Sequence, residues 1–314
     1  MLVLALDIGG SSVKHSIVDV TPPGRPAIVE RFEPHELATR HFDTVREAVL
    51  SIVARHEASE SGPEAVGIST TGTVDRDGIV LNAGHFEGYR EVDWRPEIER
   101  VMPSAGAVVV MNDGRASAWA EYSHLQRSGG HFAHFVVGTG VGGAMVVGGD
   151  LVLGDDHHAG YPGHLKVTDG PTIRCSCGSR GCVETLASAP AIVHAFQRRS
   201  GTSDVRDFPE VVRLAAAGRE QAVEALAEGG KWLGRAVSWL MNLINPVVIT
   251  LGGGVPVASR SLNDEIGHDP FFEAVVREAR RSAHSRVASF SKIVPAAYGN
   301  DGGMVGVAAF AARG

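Results

Sequence analysis

The chain holds three cysteines, and all of them fall within eight positions, as Cys175-x-Cys177-x4-Cys182. His164 lies shortly before them. Three cysteines cannot staple 314 residues, and thiolate with imidazole suits tetrahedral Zn²⁺ in a reducing compartment. Four protein ligands close the site, so the expected ion is structural. The alternative is a set of free thiols in a loop. A second group is the run Asp7-Ile8-Gly9-Gly10-Ser11-Ser12-Val13-Lys14. Its glycines let backbone amides point at a phosphate, Ser11 and Ser12 add hydroxyl donors, and Lys14 brings charge. A tight hairpin also favours glycine, and the Walker spacing is absent, so this run alone supports either reading. Gly138-Thr139-Gly140-Val141-Gly142-Gly143 repeats the composition in the same setting. Two such hairpins together favour a polyphosphate ligand. A third group is Asn112-Asp113-Gly114. A carboxylate at the C-terminal end of a strand faces the crevice where α/β sheets bind ligands. The same position serves equally well as a helix N-cap.

These groups require elements to hold them. Leu2–Ile8 is a continuous apolar run, typical of a central strand, and Val13–Val20 follows it as a hairpin partner. Ala27–Phe32, Ala65–Ser69 and Ala107–Met111 read as further strands. Phe42–Ala58 has Val45, Val49, Ile52 and Val53 at a helical period, and Gly114–Leu125 also reads as a helix. A second block opens the same way, with Phe132–Val137 and Ala144–Val147 flanking the second glycine run, so the two halves echo each other. Residues 155–183 read as irregular. Helices are expected over Ala187–Arg199, Pro209–Ala217, Glu220–Ile244, Pro270–Ser282 and Gly302–Ala312, and strands over Val247–Leu251 and Ile293–Ala297. Trp232 and Trp239, in the long helix, are expected in the core or at a subunit interface. His157-His158 reads as solvated loop ahead of a ligand pair, and Arg277, Arg280 and Arg281 as a solvated helix face.

Composition narrows the function classes. Hydrophobic residues make up 44% and charged residues 21%, an ordinary globular balance that excludes disorder as the dominant state. The length suits two domains. A formal charge of −7 argues against nucleic acid as a partner, while backbone amides still allow a nucleotide. No apolar run reaches the roughly 18 residues of a membrane span. The opening Met1–Asp7 lacks the basic region of a leader. The expected compartment is the cytoplasm, without a membrane partner.

Taken in order, these motifs resemble the ROK family of sugar kinases and repressors over nearly the whole chain. Asp7, Gly9, Gly10, Ser11, Ser12 and Lys14 are similar to the family's first phosphate motif, and Thr139, Gly140 and Gly142 to its second. Asn245-Pro246 with Gly252-Gly253-Gly254 resembles the adenosine-side motif, through Gly253 and Gly254. Gly163-His164, Cys175-Ser-Cys177-Gly178 and Gly181-Cys182-Val183-Glu184 resemble the zinc signature, and Gly299-Asn300-Asp301 the C-terminal turn. The resemblance implies an α/β fold of two actin-like, hexokinase-like (ribonuclease H-like) domains with an interdomain cleft. The smaller domain would span 1–114 with the C-terminal helix 300–314, and the larger 115–299 with the zinc loop. It implies ATP and Mg²⁺ as cofactors, with structural Zn²⁺ on His164, Cys175, Cys177 and Cys182. The reaction it implies moves the γ-phosphoryl group to the 6-hydroxyl of a glucose-like hexose, with Asp113 as general base. Asn112 and Glu184 would contact the sugar, and His164 would both ligate zinc and touch the sugar. A homo-oligomer, dimer or tetramer, is implied as well. The family's repressors carry an N-terminal helix-turn-helix, for which a first strand at Leu2 leaves no room, so a kinase is expected ahead of a non-catalytic sugar sensor. Two departures bear on the acceptor. The family's Glu-x-Gly-His reads Tyr161-Pro162-Gly163-His164, and a Pro-Asn pair of glucokinases reads Gly84-His85, so Tyr161 and His85 are expected to alter the sugar walls. Ser69-Thr70-Thr71-Gly72 is similar to the N-acylmannosamine kinase branch, which places Gly72 at the sugar. An N-acylmannosamine or N-acetylglucosamine kinase is therefore the alternative.

Overall fold

The apolar run at the N-terminus becomes strand β1 (Leu2–Ile8), in which Leu4, Leu6 and Ile8 enter the core. The chain continues through β2 (Ser12–Asp19), β3 (Ala27–Arg31), β4 (His35–Glu36), α1 (Phe42–Glu57), β5 (Ala65–Thr70), β6 (Thr73–Val74), β7 (Val80–Asn82), α2 (Arg95–Val101), β8 (Val108–Asn112) and α3 (Asp113–His124). After these come β9 (Phe132–Val137), β10 (Val141–Val147), β11 (Asp150–Leu151), α4 (Glu184–Ala187), α5 (Ala189–Ser200), α6 (Phe208–Ala216) and α7 (Glu220–Ile244). The last elements are β12 (Val248–Gly252), α8 (Gly254–Ser261), α9 (Asn263–Ile266), α10 (Pro270–Ser282), α11 (Ser285–Phe290), β13 (Lys292–Pro295) and α12 (Gly302–Ala311). This computed structural model describes residues 1–21, 25–57, 62–84, 86–125, 129–170 and 172–313. His85, expected at a sugar wall, lies outside the described residues.

The chain forms two units. The first comprises Met1–Ser128, Leu151–Gly160 and Asp301–Gly314. Its main sheet has the order β3-β2-β1-β5-β8, with β4 added to β2. The hairpin β1–β2 is antiparallel, while β1, β5 and β8 run parallel. In that register Asp7 stands opposite Ser69, and Thr70 opposite Asn112, so polar residues collect at the C-terminal ends of three parallel strands. Leu4, Leu6 and Ile8 pack with Val45, Val49 and Ile52 of α1. Two glycines let α12 pack closely: Gly67 leaves room for the Val307 side chain, and a methyl on Gly306 would strike the Ala116 carbonyl of α3.

The second unit comprises Gly129–Asp150 and Tyr161–Asn300. Its sheet, β11-β10-β9-β12-β13, repeats the same plan: an antiparallel hairpin, β9–β10, beside the parallel strands β12 and β13. The core is laid down by α7. Leu226, Leu233 and Leu240 are buried in it, each contributing roughly 2 kcal/mol of apolar burial. Gly230 and Gly234 of α7 face the backbone of α10, where a methyl on Gly234 would come within 2.7 Å of the Val275 carbonyl. Trp232 is half-buried beneath the Arg235 guanidinium, 4.7 Å from its ring centre, whereas Trp239 is 45% exposed in the single chain. Arg281 is not merely solvated, since it pairs with the buried Glu278 at 2.7 Å.

Several boundaries differ from those expected. A division after residue 114 would detach α3, which packs along α12 inside the first unit. That unit also takes in 151–160. Strand β10 begins at Val141 rather than Ala144, because its glycines belong to the strand: Gly143 has φ of 140°, and a methyl there would strike the His134 carbonyl. The elements α2, α8, α9, α11 and the pair β6–β7 are additional. Most are one or two turns long, too short for a periodic signal. Among the described residues, no helix is long and apolar enough to cross a membrane.

Candidate active site and metal centre

In the first unit the chemistry gathers where β1, β5 and β8 end. Asn112, the last residue of β8, caps α3: its Oδ1 accepts the Arg115 N–H at 3.1 Å. The capping role weighed for Asp113 therefore belongs to its neighbour. The Asn112 amide also donates to the Gly72 carbonyl at 2.8 Å and to Asp113 Oδ1 at 2.9 Å. Both its amide protons are thus engaged, and Asn112 orients Asp113. The Gly114 N–H donates to the same carboxylate oxygen at 2.8 Å. Asp113 itself is open to solvent, yet protein crowds it closely. Desolvation first, and the negative charge of Asp7 second, raise its carboxyl to about 6. A carboxylate tuned to that range is ionised at neutral pH and still basic enough to take a proton.

Asp7 is half-buried, and desolvation raises its carboxyl as well, opposed by a hydrogen bond from the Ser69 hydroxyl at 2.8 Å and by the charge of Lys14. The adjoining loop turns tightly, the Gly9 N–H donating to the Ser12 carbonyl at 3.0 Å. Gly10 and Ser11 are exposed, and a methyl on Gly10 would meet nothing within 4 Å. Among the described residues no atom demands glycine there, whereas a ligand approaching the backbone would. Lys14 is exposed on β2. Gly72 has φ of 93°, and a methyl would press on Ala83 Cα at 2.6 Å, so glycine is required by the turn itself. Behind it, the buried Tyr89 hydroxyl accepts from Trp94 Nε1 at 2.8 Å and from Thr70 Oγ1 at 3.2 Å, a rigid backing for the segment. Asp301, in the C-terminal turn, receives both Arg31 nitrogens at 2.8 Å.

In the second unit three expected features become one. The hairpin 138–143 is held by Glu184, whose Oε2 accepts the Val141 N–H at 3.1 Å and lies 2.7 Å from where a methyl on Gly140 would stand. The other oxygen of Glu184 is 3.6 Å from Cys175 Sγ. One carboxylate therefore links the second glycine hairpin to the cysteine cluster. Gly163 packs so tightly on β10 that a methyl would strike the Val141 carbonyl. This places the 3₁₀ turn Pro162–His164, with the half-buried Tyr161 ahead of it, beside the same hairpin. Thr139 and Gly142 lie within that hairpin region. Gly253, just ahead of α8, holds φ of 89°, and a methyl on it would strike the backbone of Val137, so glycine is required there. Asn245 is the left-handed C-cap of α7.

The four ligand atoms of His164, Cys175, Cys177 and Cys182 lie within 4.8 Å of one another. His164 Nδ1 is 3.5 Å from Cys175 Sγ, and Cys177 Sγ is 3.6 Å from Cys182 Sγ. A tetrahedron of zinc–sulfur bonds has edges of about 3.8 Å, so the spacing fits Zn²⁺. Burial first and the neighbouring thiols second push Cys182 up to about 12. A cation among these sulfurs reverses that penalty by stabilising thiolates. With Nδ1 turned to the sulfurs, His164 keeps Nε2 for another partner.

Sequence reasoning missed Ser69 as the residue holding Asp7, and the Arg31–Asp301 pair. Neither pairing leaves a local signal, because the partners are 62 and 270 positions apart.

The profile of the ROK family matches residues 3–313. An N-acetylmannosamine kinase of Citrobacter koseri is 32% identical over 314 residues, covering 99% of each chain. A ROK family glucokinase of Streptomyces griseus, solved with glucose and AMPPNP, superposes with a TM-score of 0.78 at 26% identity and covers 100% of both chains. A ROK hexokinase of Thermus thermophilus gives 0.77 at 25% identity, covering 100% of this chain and 98% of that one.

Proposed function

The chain belongs to the ROK family as a sugar kinase, and from that premise we propose that it phosphorylates the 6-hydroxyl of an N-acylated hexosamine, with Asp113 as general base. The observation that carries the mechanism is Asp113: free of the capping role taken by Asn112, oriented by it, open to solvent and raised to about 6. The sugar O6–H gives its proton to this carboxylate as the bond from O6 to the γ-phosphorus forms. The bond from that phosphorus to the bridging oxygen breaks, and ADP leaves. Asp7, Gly9, Gly10, Ser11, Ser12 and Lys14 are assigned to the phosphates and their Mg²⁺. Thr139, Gly140 and Gly142 are assigned to phosphate, and Gly253 and Gly254 to the adenosine side. Zn²⁺ on His164, Cys175, Cys177 and Cys182 would hold the irregular 155–183 segment as a closed structural site. His164, Glu184 and Tyr161 are assigned to the sugar. A homo-oligomer remains part of this reading, supported by the exposure of Trp239 and Leu243 on α7.

The relative from Citrobacter koseri, similar from end to end, supports an N-acylated acceptor ahead of glucose. So does Tyr161, where a phenol replaces the acceptor-only carboxylate of the family's pattern. The test is ADP release across N-acetylmannosamine, N-acetylglucosamine, mannose and glucose. N-acetylmannosamine should exceed glucose in kcat/KM by about tenfold or more. Tyr161→Glu should move preference towards glucose by about tenfold, the scale of one charge-assisted hydrogen bond. A wild-type preference for glucose overturns the acceptor assignment. Sugar binding by calorimetry without turnover of any sugar would make the protein a non-catalytic sensor.

A further inference from the structure

Arg115 is almost fully buried, 3% exposed, one turn into α3. A charge that deep is retained only where its donors are well used. Its Nη1 donates to the Val74 carbonyl at 2.7 Å, and its Nη2 to the carbonyls of His157 at 2.5 Å and Ala159 at 3.2 Å. Its backbone N–H meets the Asn112 side chain that orients Asp113. One side chain thus ties together β6, the start of the helix carrying Asp113, and a segment more than forty positions away.

The gripped segment has an unusual backbone. His157 holds φ at 64°, a region that residues with a β-carbon rarely adopt, and its Nδ1 is buried without a hydrogen-bond partner among the described residues. The Ala159 N–H closes the loop on the Leu153 carbonyl at 2.9 Å. Gly160 leaves it at φ of 83°, where a methyl would come within 2.6 Å of the Val152 carbonyl. In sequence the next residues are Tyr161-Pro162-Gly163-His164, of which Tyr161 is assigned to the sugar and His164 to the sugar and the metal.

We propose that Arg115 is a positioning residue for the sugar acceptor, a latch that holds the 157–159 backbone, strained at His157, in register with the Asn112–Asp113 corner. The inference rests on the kinase reading for its substrate and on geometry for the latch. The guanidinium fork reaches three carbonyls at once, which the point charge of a lysine cannot do.

The experiment uses the full chain and the variants Arg115→Lys and Arg115→Gln, with steady-state kinetics for N-acetylmannosamine and ATP. Hydrogen exchange over 152–160 is measured beside it, without ligands. Arg115→Gln should raise the sugar KM by about tenfold, with kcat and the ATP KM held within about threefold. Arg115→Lys should recover part of the sugar affinity, and exchange over 152–160 should quicken in the order wild type, Lys, Gln. A purely structural role would shift both KM values and kcat together, and that result overturns the proposal. Unchanged exchange over 152–160 overturns it as well. If Arg115→Gln does not fold, Arg115→Lys carries the same two readings at smaller amplitude. If the wild type phosphorylates no sugar, the kinase reading fails, and the exchange measurement still decides the latch.

Discussion

Replacing Asp113 by Asn separates catalysis from stability, because the two should move in opposite directions. The asparagine keeps one oxygen to accept from the Asn112 amide and the Gly114 N–H, so the corner is preserved. What disappears is the charge. The Asp113 carboxyl is raised from 3.8 to about 6, chiefly by desolvation and then by Asp7. A carboxyl raised in the folded state favours folding while protonated, and that advantage is lost as pH rises from the unfolded value through about 6. Above that range the ionised group costs stability. A displacement of about two pH units corresponds to about 3 kcal/mol at face value, and water around this open carboxylate reduces it to roughly 1 kcal/mol. Asp113→Asn should therefore raise Tm by about 2 °C at pH 7.5 and leave it unchanged near pH 4. Turnover should fall by about a hundredfold or more. The wild-type kcat/KM should decline below about pH 6, where the base becomes protonated. Scanning calorimetry at the two pH values, with ADP-release rates from pH 5 to 9, measures all three. Undiminished turnover in the variant refutes the assignment. Loss of turnover together with a lower Tm would show that Asp113 is structural instead.

Two further outcomes test the second unit. Protein purified without chelator should contain about one zinc per chain, and Cys182→Ser should cost several kcal/mol in thermal or chemical unfolding, since a structural site contributes folding free energy; a metal-free protein of equal stability would dismiss the site. Gly163→Ala should cost about 2 kcal/mol or more, because the new methyl meets the Val141 carbonyl of β10 rather than a yielding side chain. A variant as stable as wild type would show that the 3₁₀ turn is not seated on the hairpin as described.

Much of the architecture was legible where the physics is local. The bounds of β1, β9, α7 and α10 follow from uninterrupted apolar runs or a long helical period. The clustering of His164 with the three cysteines was legible for a similar reason: three of the four candidate ligands are neighbours in sequence, and their chemistry has few other uses. The short elements were hidden. Helix α8 begins directly after Gly253 with no side-chain cap, so its start reads as a glycine loop. The glycines of β10 read as a turn because the His134 carbonyl that requires one of them belongs to another strand.

Residue types and order alone therefore determined the α/β plan, the two glycine hairpins, the candidate metal ligands and the placement of Asp113 directly after a strand. Only the tertiary structure decided how these parts are tuned. It made Asn112 rather than Asp113 the cap of α3, and it raised the Asp113 carboxyl through crowding and the charge of Asp7. It joined the second hairpin to the cysteine cluster through Glu184. It also buried Arg115 beneath carbonyls from two distant segments. A hydrogen bond or a desolvation penalty depends on which atoms lie within a few ångströms, and for these groups those atoms come from parts of the chain that meet only once it has folded.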